Sequence, residues 1–329
     1  MTQYNVYGLG NALADIEFEI TVDRLKELNI DKGVMTLIEA DRQQEILDRL
    51  SDLPTKLSCG GSAANTAIAI SQFGGHSFYS CKIANDETGT VYLKDLIRNG
   101  VDSNLLLNDR PDGVTGKCIV FVTPDADRTM NTHLGISADF SAEELVSEAI
   151  VKSQYLYVEG YLVTSPTGKA AAIRACEIAR ESGVKTSLSL SDPNMAEFFR
   201  EGLLEMIGSG LDFIFANESE ALKMAQTTDL SQAIDNLKTR SKGFAITRGA
   251  AGSLIFDGEE MLEIPPVKVE AIDTVGAGDM YAGAFLYGIT NGMSFTEAGN
   301  LASRASARLV TSFGPRLDAS QTRTLLEIS

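Results

Sequence analysis

The sequence has few of the residues that build disulfide frameworks and metal centres. It contains four cysteines and two histidines in 329 residues. The cysteines lie far apart, with no C-x-x-C spacing, at Cys59, Cys81, Cys118 and Cys176. Neither histidine has a metal-ligand spacing. These absences predict reduced thiols in a cytoplasmic protein and argue against a disulfide framework or a zinc site.

Basic residues are also scarce, because 28 Lys and Arg residues against 45 Asp and Glu residues give a formal net charge of -17. Nucleic acids and anionic membranes both attract positive surfaces, so an acidic chain is a poor partner for either. Phosphate ligands remain compatible with it, since backbone N–H groups bind them locally. No apolar run reaches membrane-spanning length, and residues 1–6 show no signal-peptide pattern. We therefore expect no nucleic-acid partner and no membrane partner.

Two common nucleotide-binding fingerprints are incomplete. Gly168-Lys169-Ala170 lacks the upstream glycine and the Ser or Thr of a P-loop. Gly8-Leu9-Gly10 resembles the start of a dinucleotide fingerprint, but Leu13 stands where the third glycine is needed. The alternative for this stretch is that Asn11 and Asp15 direct polar groups into a cleft at the end of a strand.

A glycine turn followed by an acid, Asp273-Thr274-Val275-Gly276-Ala277-Gly278-Asp279, precedes a small-residue helix pattern. Gly276 and Gly278 allow successive N–H groups to converge, and a helix starting at Asp279 adds unpaired N–H groups and a positive dipole end. Together these features predict an anion hole. A carboxylate inside it suits a general base that takes a proton from an attacking hydroxyl. From these residues alone, a plain helix start capped by Asp remains an alternative.

A second glycine pair, Gly60-Gly61, opens a helix whose first turn consists of small residues. Small side chains at a helix N-terminus let a ligand approach closely, and Asn65 offers a donor and an acceptor to a sugar hydroxyl. The alternative is tight packing of this helix on a sheet, with Asn65 as a capping or solvated amide.

Strand and helix patterns alternate along most of the chain, which predicts a mainly parallel sheet covered by helices on both faces. Residues 15–38 and 113–135 interrupt this alternation with strand patterns that have no large covering helix. We expect them to form a small β-sheet that acts as a lid. The predicted division is a large αβα domain of residues 1–14, 39–112 and 136–329, and a small sheet of residues 15–38 and 113–135.

Ligands of such sheets bind where the strands end. Asn217 and Glu220 follow one predicted strand and place an amide and a carboxylate on one helical face. That pair suits water-mediated Mg2+ binding beside phosphates, because Mg2+ tends to keep its waters. An ordinary capping turn is the alternative. Residues 247–252 form a glycine-containing turn after another strand.

The combination of these motifs resembles the ribokinase-like (PfkB-type) family of carbohydrate kinases. Residues 60–65 and 273–279 are similar to the two signature regions of that family, residues 217–220 to its N-x-x-E element, and residues 247–249 to its nucleotide loop. The motifs occur in the family's order across nearly the whole chain, which makes the resemblance specific. It implies a ribokinase-like three-layer αβα fold and an enzyme that transfers phosphate from ATP, with Mg2+, to an alcohol group.

Within the family, the sequence most resembles adenosine kinases. Residues 8–15 are similar to their N-terminal motif, whose Asn and Asp hold ribose hydroxyls. Residues 160–166 are similar to the segment whose aromatic residue, here Tyr161, stacks on the base. Arg128 stands where they carry an arginine near the phosphates. A short helix over residues 23–28 resembles an insert associated with monomers, which favours a monomer over a dimer. The implied acceptor is the ribose 5′-OH of an adenosine-type nucleoside, as in purine salvage.

The resemblance also implies roles for individual residues. Asp279 is the implied general base, and the implied anion hole consists of Gly276, Ala277 and Gly278. The implied substrate residues are Asn11, Asp15, Gly60, Gly61, Ser62, Asn65 and Tyr161. Beside this implication, Cys118, Met130 and Leu134 form with Tyr161 an apolar set on the lid side that is suited to a base. The implied phosphate and ATP residues are Arg128, Asn217, Glu220, Thr247, Arg248, Gly249, Gly252 and Asn300. Glu220 would reach Mg2+ through water, and Asp273 would either contribute to a monovalent-cation site for K+ or cap a turn.

Three functions stay open on the sequence. The first is the nucleoside kinase, and the second is a kinase of a free sugar or sugar acid of the ribose, fructose or ketodeoxygluconate type. Gly33 and Thr132 depart from the adenosine kinase pattern near the base and near the lid, which keeps the second function open. The third is a purine- or sugar-binding protein without catalysis. It is disfavoured because the catalytic acid and both glycines of the anion hole are present.

Overall fold

The computed structural model describes residues 2–33, 35–124 and 128–327, without the side chains of residues 56 and 57. Val34 and residues 125–127, which fall in the segments predicted to form the small sheet, lie outside the described residues. The strands of the described part are β1 (Tyr4–Leu9), β2 (Leu13–Glu19), β3 (Met35–Leu37), β4 (Lys56–Cys59), β5 (Ser77–Ser80), β6 (Asp102–Ser103), β7 (Thr115–Val122), β8 (Arg128–Gly135), β9 (Ser153–Glu159), β10 (Lys185–Ser189), β11 (Leu211–Asn217), β12 (Ser241–Thr247), β13 (Ser253–Phe256) and β14 (Met261–Ile264). The helices are α1 (Val22–Glu27), α2 (Ala40–Asp48), α3 (Ser62–Gln72), α4 (Glu87–Arg98), α5 (Ser147–Val151), α6 (Pro166–Glu181), α7 (Pro193–Phe198), α8 (Arg200–Ile207), α9 (Glu218–Ala225), α10 (Leu230–Lys238), α11 (Ala277–Thr290), α12 (Phe295–Leu309) and α13 (Ala319–Thr324).

Nine strands form the large sheet in the order β14-β13-β12-β11-β10-β9-β1-β5-β6. The strands from β12 to β6 run parallel, whereas β13 and β14 add an antiparallel edge. Successive strand residues face opposite sides, so both sides of a covered sheet must be apolar. In β11, Phe213 and Phe215 join the core under α3, α11 and α12, while Ile214 and Ala216 join the core under α6, α8 and α9. The predicted α/β fold with a mainly parallel sheet is confirmed.

Five strands form the second, smaller sheet in the order β3-β8-β7-β2-β4. One face is apolar, because Phe18, Ile119 and Phe121 pack with Leu25 of α1 and Ile46 of α2. The opposite face carries side chains that alternate with these along the strands and is not covered by α1 or α2. The small sheet therefore packs one face on α1 and α2, and the opposite face is its uncovered face in the sense that neither helix covers it, although Cys118 and Thr132 on it are buried.

The small sheet takes two elements from the range 39–112, which the predicted division assigned to the large domain. Strand β4 pairs antiparallel with β2, and helix α2 packs on the small sheet through Ile46. Apolar spacing shows that α2 has a buried face, but it does not show which sheet covers that face. The division into a large domain and a lid stays a prediction.

The four cysteines are buried free thiols. None of the helices in the described ranges is both long enough and apolar enough to cross a membrane.

Candidate active site

The glycine turn at the start of α11 has a backbone that requires glycine. Gly276 caps α11 with a φ of 77°, in the left-handed region. A Cβ at this position would lie 2.4 Å from the carbonyl oxygen of Pro315. At Gly278, in contrast, a Cβ would meet no atom of the described residues within 4 Å. Space is therefore open beside the first turn of α11, where unpaired N–H groups and the helix dipole favour an anion.

Close packing of α3 on α11 brings the two small-residue motifs together. A Cβ at Gly283 of α11 would lie 2.7 Å from the Cβ of Ala69 in α3, so the helices approach at a distance that larger side chains prevent. As a result, two residues in the first turns of α3 reach the carboxylate of Asp279. Ser62 donates to Oδ1 at 2.6 Å, and the amide of Asn65 donates to Oδ2 at 2.8 Å. The structure thus joins three of the predicted site residues.

The surroundings of Asp279 adjust its proton affinity in two directions. Burial raises its pKa to about 6. The hydrogen bonds from Ser62 and Asn65 and the positive charge of Arg316 oppose this increase, because they favour the ionised form. A carboxylate with a pKa near 6 is ionised at neutral pH but still has appreciable affinity for a proton. Both properties suit a general base.

Asp15 and Asn11 lie on the side of the site formed by the end of β1 and the start of β2. Burial raises the pKa of Asp15 to about 7, and the charges of Arg316 and Arg128 oppose the increase. A Cβ at Gly60 would lie 2.3 Å from Oδ2 of Asp15, so the glycine makes room for this carboxylate. Gly61, with a φ of 96°, is the N-cap of α3.

Glu159, at the end of β9, is a site residue that sequence reasoning missed. Its side chain is 1% exposed. Oε1 accepts from the backbone N–H of Asn11 at 3.1 Å and from its side-chain amide at 3.2 Å, and Oε2 accepts from the N–H of Ala63 at 2.8 Å. Burial raises the pKa of Glu159 to about 7, and these hydrogen bonds oppose the increase. The available signal was an acid directly after the apolar run Tyr155–Val158.

The uncovered face of the small sheet contains the residues predicted to contact a base. Asp15, Cys118 and Thr132 lie side by side in register across β2, β7 and β8. Met130 and Leu134 flank Thr132 at alternate positions of β8 and therefore share its face. Cys118 is buried and Met130 and Leu134 are partly buried, which makes this face largely apolar next to the Asp15 carboxylate.

Tyr161 lies on the large-sheet side, in the 3-10 turn Gly160–Thr164 that follows β9. Its ring is half-buried and packs against the core under α6, α8 and α9. Burial, with the negative charges of Asp192 and Glu220 nearby, raises its pKa well above the usual value. Its position next to these acids places it on the same side of the site as the strand ends.

An arginine connects the small sheet to the glycine turn. Arg128, at the start of β8, pairs with Asp273 and with Glu17 of β2. Asp273 is buried and also accepts from the N–H of Val275 at 3.0 Å and from that of Gly314 at 2.7 Å. These contacts are those of a turn-capping Asp. The cation role of Asp273 stays a prediction.

Asn217 and Glu220 form a reciprocal capping box at the start of α9. The N–H of Asn217 donates to Glu220 at 2.9 Å, and the N–H of Glu220 donates back to Asn217 at 2.8 Å. Glu220 is 5% exposed, and burial raises its pKa to about 7. The capping alternative therefore describes the contacts of this pair, and its role toward Mg2+ stays a prediction.

The remaining predicted ATP residues lie beyond β12 and on α12. Thr247 ends β12, and Gly249 and Gly252 bound the following 3-10 turn with φ values of 53° and 83°. Arg248 donates to the carbonyl of Ala251 at 3.2 Å and pairs with Glu263 at 3.0 Å. Asn300 donates to the carbonyl of Thr296 within α12, at 2.9 Å. Thr247 and the turn follow the end of a parallel strand, as do Asn217, Glu159 and Asn11.

Comparison with known proteins identifies the family of the chain. It matches the model of the pfkB family carbohydrate kinases over residues 35–323. The structure is similar to an adenosine kinase from Sinorhizobium meliloti, with a TM-score of 0.90 and 34% identity over 98% of this chain and 99% of that one. It is also similar to a probable sugar kinase from Rhizobium etli CFN 42, with a TM-score of 0.91 and 32% identity over 100% of both chains. The adenosine kinase of Saccharomyces cerevisiae is 26% identical over 329 residues, covering 93% of this chain and 95% of its own length. The predicted resemblance and the ribokinase-like fold are thereby confirmed: the chain belongs to the pfkB family of carbohydrate kinases and is a phosphotransferase with a hydroxyl group as acceptor.

Proposed function

We propose that the chain transfers the γ-phosphate of ATP to the ribose 5′-OH of an adenosine-type nucleoside, with Asp279 as the general base. The observation that carries this proposal is the position of Asp279. Its carboxylate lies in the first turn of α11, next to the open space at Gly278, and Ser62 and Asn65 hold both of its oxygens. A proton acceptor beside an anion site is what hydroxyl phosphorylation requires.

In the proposed reaction, the acceptor hydroxyl transfers its proton to Asp279 as its oxygen forms a bond to the γ-phosphorus. The bond from the γ-phosphorus to the β–γ bridging oxygen breaks, and ADP leaves. N–H groups around Gly276, Ala277 and Gly278 stabilise the charge on the transferred group. The N–H of Ala277 donates to the carbonyl of Thr274 at 3.2 Å, so it would exchange this partner for the phosphate. Asn11 and Asp15 orient the sugar, and Glu159 fixes Asn11.

The donor set near the phosphates fits a hydrated Mg2+ ion. Asn217 and Glu220 present amide and carboxylate oxygens, which are hard ligands, but they are occupied by each other. They would therefore hold Mg2+ through water. When bound, Mg2+ supplies charge neutralisation for the phosphates. Arg128 and Arg248, each paired with a carboxylate, would add positive charge near the phosphates.

The nucleoside is favoured over a free sugar by the apolar character of the uncovered face of the small sheet. Met130 and Leu134, which are partly exposed beside the buried Cys118, would leave apolar surface unused next to a plain sugar, whereas a base would cover it. The second candidate is a kinase of a free sugar or sugar acid. The similarity to the probable sugar kinase from Rhizobium etli, which spans the whole chain, supports it.

ADP release from ATP with adenosine, inosine, ribose, fructose or ketodeoxygluconate separates the candidates. We expect the highest kcat/KM with adenosine. A preference for one of the free sugars would replace the first candidate with the second, and no ADP release with any of the five would reject both.

The general base is tested by Asp279→Asn with the best acceptor. We expect kcat to fall on the order of 10²–10⁴-fold with an unchanged far-UV CD spectrum. Asp235→Asn, on the exposed surface of α10, is the matched control for loss of one carboxylate. Turnover of the Asp279 variant close to that of the control would remove Asp279 from the mechanism.

A further inference from the structure

Arg316, in the segment after α12, connects the Asp279 site to a helix outside it. Its Nε donates to Oδ1 of Asn65 at 2.7 Å, and its Nη1 pairs with Asp95 of α4 at 2.5 Å. The side chains of Arg316 and Asp95 are 15% and 17% exposed. Among the described residues, Nη2 is buried without a hydrogen-bond partner. The guanidinium group is therefore held in place through Asn65 and Asp95.

The contact with Arg316 determines which way the Asn65 amide points. A guanidinium nitrogen only donates, so the atom of Asn65 that it meets must be the oxygen. The NH2 group of Asn65 then faces the other way, and it donates to Oδ2 of Asp279 at 2.8 Å. If the amide turned over, its oxygen would lie against the carboxylate oxygen. Two acceptors in contact repel each other unless a proton lies between them, so a turned amide would require a protonated Asp279.

We propose that Arg316 is a positioning residue for the reaction proposed above, because it locks the Asn65 amide in the orientation that keeps Asp279 free to accept a proton. The inference rests on the proposed role of Asp279 as the general base. Arg316 does not need to touch the substrate to act in this way.

The charges around Asp279 make the lock necessary. Acidic or phenolic groups that interact with it come from four other parts of the fold: Asp15 of β2, Tyr157 and Glu159 of β9, Tyr161 in the turn after β9, and Glu220 of α9. Asp15, Glu159 and Glu220, when ionised, disfavour a second negative charge, whereas the two phenols stay neutral because burial raises their pKa. The groups that favour the ionised form of Asp279 are Ser62, Asn65 and Arg316. Removing Arg316 weakens two of these three influences at once.

The pH dependence of kcat in Arg316→Met tests the proposal. Without the lock, the acid limb of the profile should move to higher pH by about one pH unit, because loss of a donor and of a positive charge raises the pKa of the base. Activity at pH 6 should fall about fivefold more than activity at pH 9, because the ionised fraction at pH 6 falls from about one half to about one tenth. Arg316→Lys, which keeps a positive donor, should recover part of the shift. An activity loss that is equal at every pH shows a merely structural role and overturns the proposal.

Two further variants keep the test decisive. Arg323→Met removes an exposed arginine from α13 in the same C-terminal segment, and its acid limb should match the wild type. If Arg316→Met does not fold, Asp95→Asn takes its place. Asp95→Asn leaves the Nε donor of Arg316 present but removes the carboxylate that holds the guanidinium group in place, so we expect a smaller upward shift of the acid limb. An acid limb that does not move contradicts the inference. Near-normal turnover in Asp279→Asn would reject the general base itself. An inactive Asp279→Asn together with an unshifted Arg316→Met profile would reject only the lock.

Discussion

Replacing Glu159 with glutamine tests the buried carboxylate that holds Asn11 and the start of α3. Burial raises the folded-state pKa of Glu159 to about 7 from an ordinary value of 4.5. Between these two values the folded protein binds the proton more tightly than the unfolded chain does. The contribution of Glu159 to stability therefore decreases as pH rises through this window. Glutamine keeps the size of the side chain but does not titrate.

The magnitude follows from the two pKa values. Integrating proton binding between pH 5 and pH 8 gives a loss of about 2.5 kcal/mol for the wild type from this one group. The raised pKa values of Asp15 and Glu220 affect both proteins and cancel in the comparison. The repulsion between Asp279 and Glu159 is part of the raised pKa of Glu159 and is absent from the variant, so it belongs to the difference. The free energy of unfolding of the wild type minus that of Glu159→Gln should therefore decrease by about 2.5 kcal/mol from pH 5 to pH 8.

Urea denaturation at four pH values measures this difference. Far-UV circular dichroism is the suitable signal, since the chain has no tryptophan. Glu181→Gln, an exposed position in the last turn of α6, is the matched control, and its difference from the wild type should stay flat with pH. A Glu159→Gln difference that changes by less than about 0.5 kcal/mol over the same range would refute the raised pKa of the buried carboxyl.

Three further predictions concern the glycine turn at Gly276, the ion pair between Arg128 and Asp273, and the proposed contact of Asp15 with the sugar. Gly276→Ala should lower both the melting temperature and kcat, because alanine is strained at a φ of 77° and its Cβ would meet Pro315. Gly278→Ala is the control and should keep the wild-type melting temperature, because a Cβ there meets no described atom. Equal losses of melting temperature in both variants would contradict the explanation. Arg128→Met should lower the free energy of unfolding by about 3 kcal/mol, because the buried Asp273 keeps its two N–H donors but loses its ion pair. A decrease below about 0.5 kcal/mol in denaturation would show that the pair contributes little. In the wild type, KM for the acceptor should fall as pH rises through about 7, because Asp15 ionises there and can then accept hydrogen bonds from the sugar hydroxyls as proposed. Asp15→Ala should raise KM and remove this pH dependence. Unchanged kinetics would exclude Asp15 from sugar binding.

The sequence was sufficient to predict the elements whose chemistry is local. Alternating strand and helix patterns predicted the parallel sheet. The glycine turn before Asp279 predicted backbone angles that favour glycine, and the structure shows one at Gly276, but α11 begins at Ala277 and not at Asp279 as expected. Each of these features depends on neighbours in the chain or on the period of a single element, which is information a sequence contains.

The tertiary structure alone decided which distant groups meet. The contact between Asn65 and Asp279 spans 214 residues, and that between Arg316 and Asn65 spans 251. No local pattern specifies such partners, because they depend on how helices and sheets pack. The same reason explains why Glu159 and Arg316 were missed and why α2 covers the small sheet. The sequence by itself thus determined the family, the layers and the presence of an acid in a glycine turn, whereas packing decided the hydrogen bonds and charges that set the proton affinity of that acid.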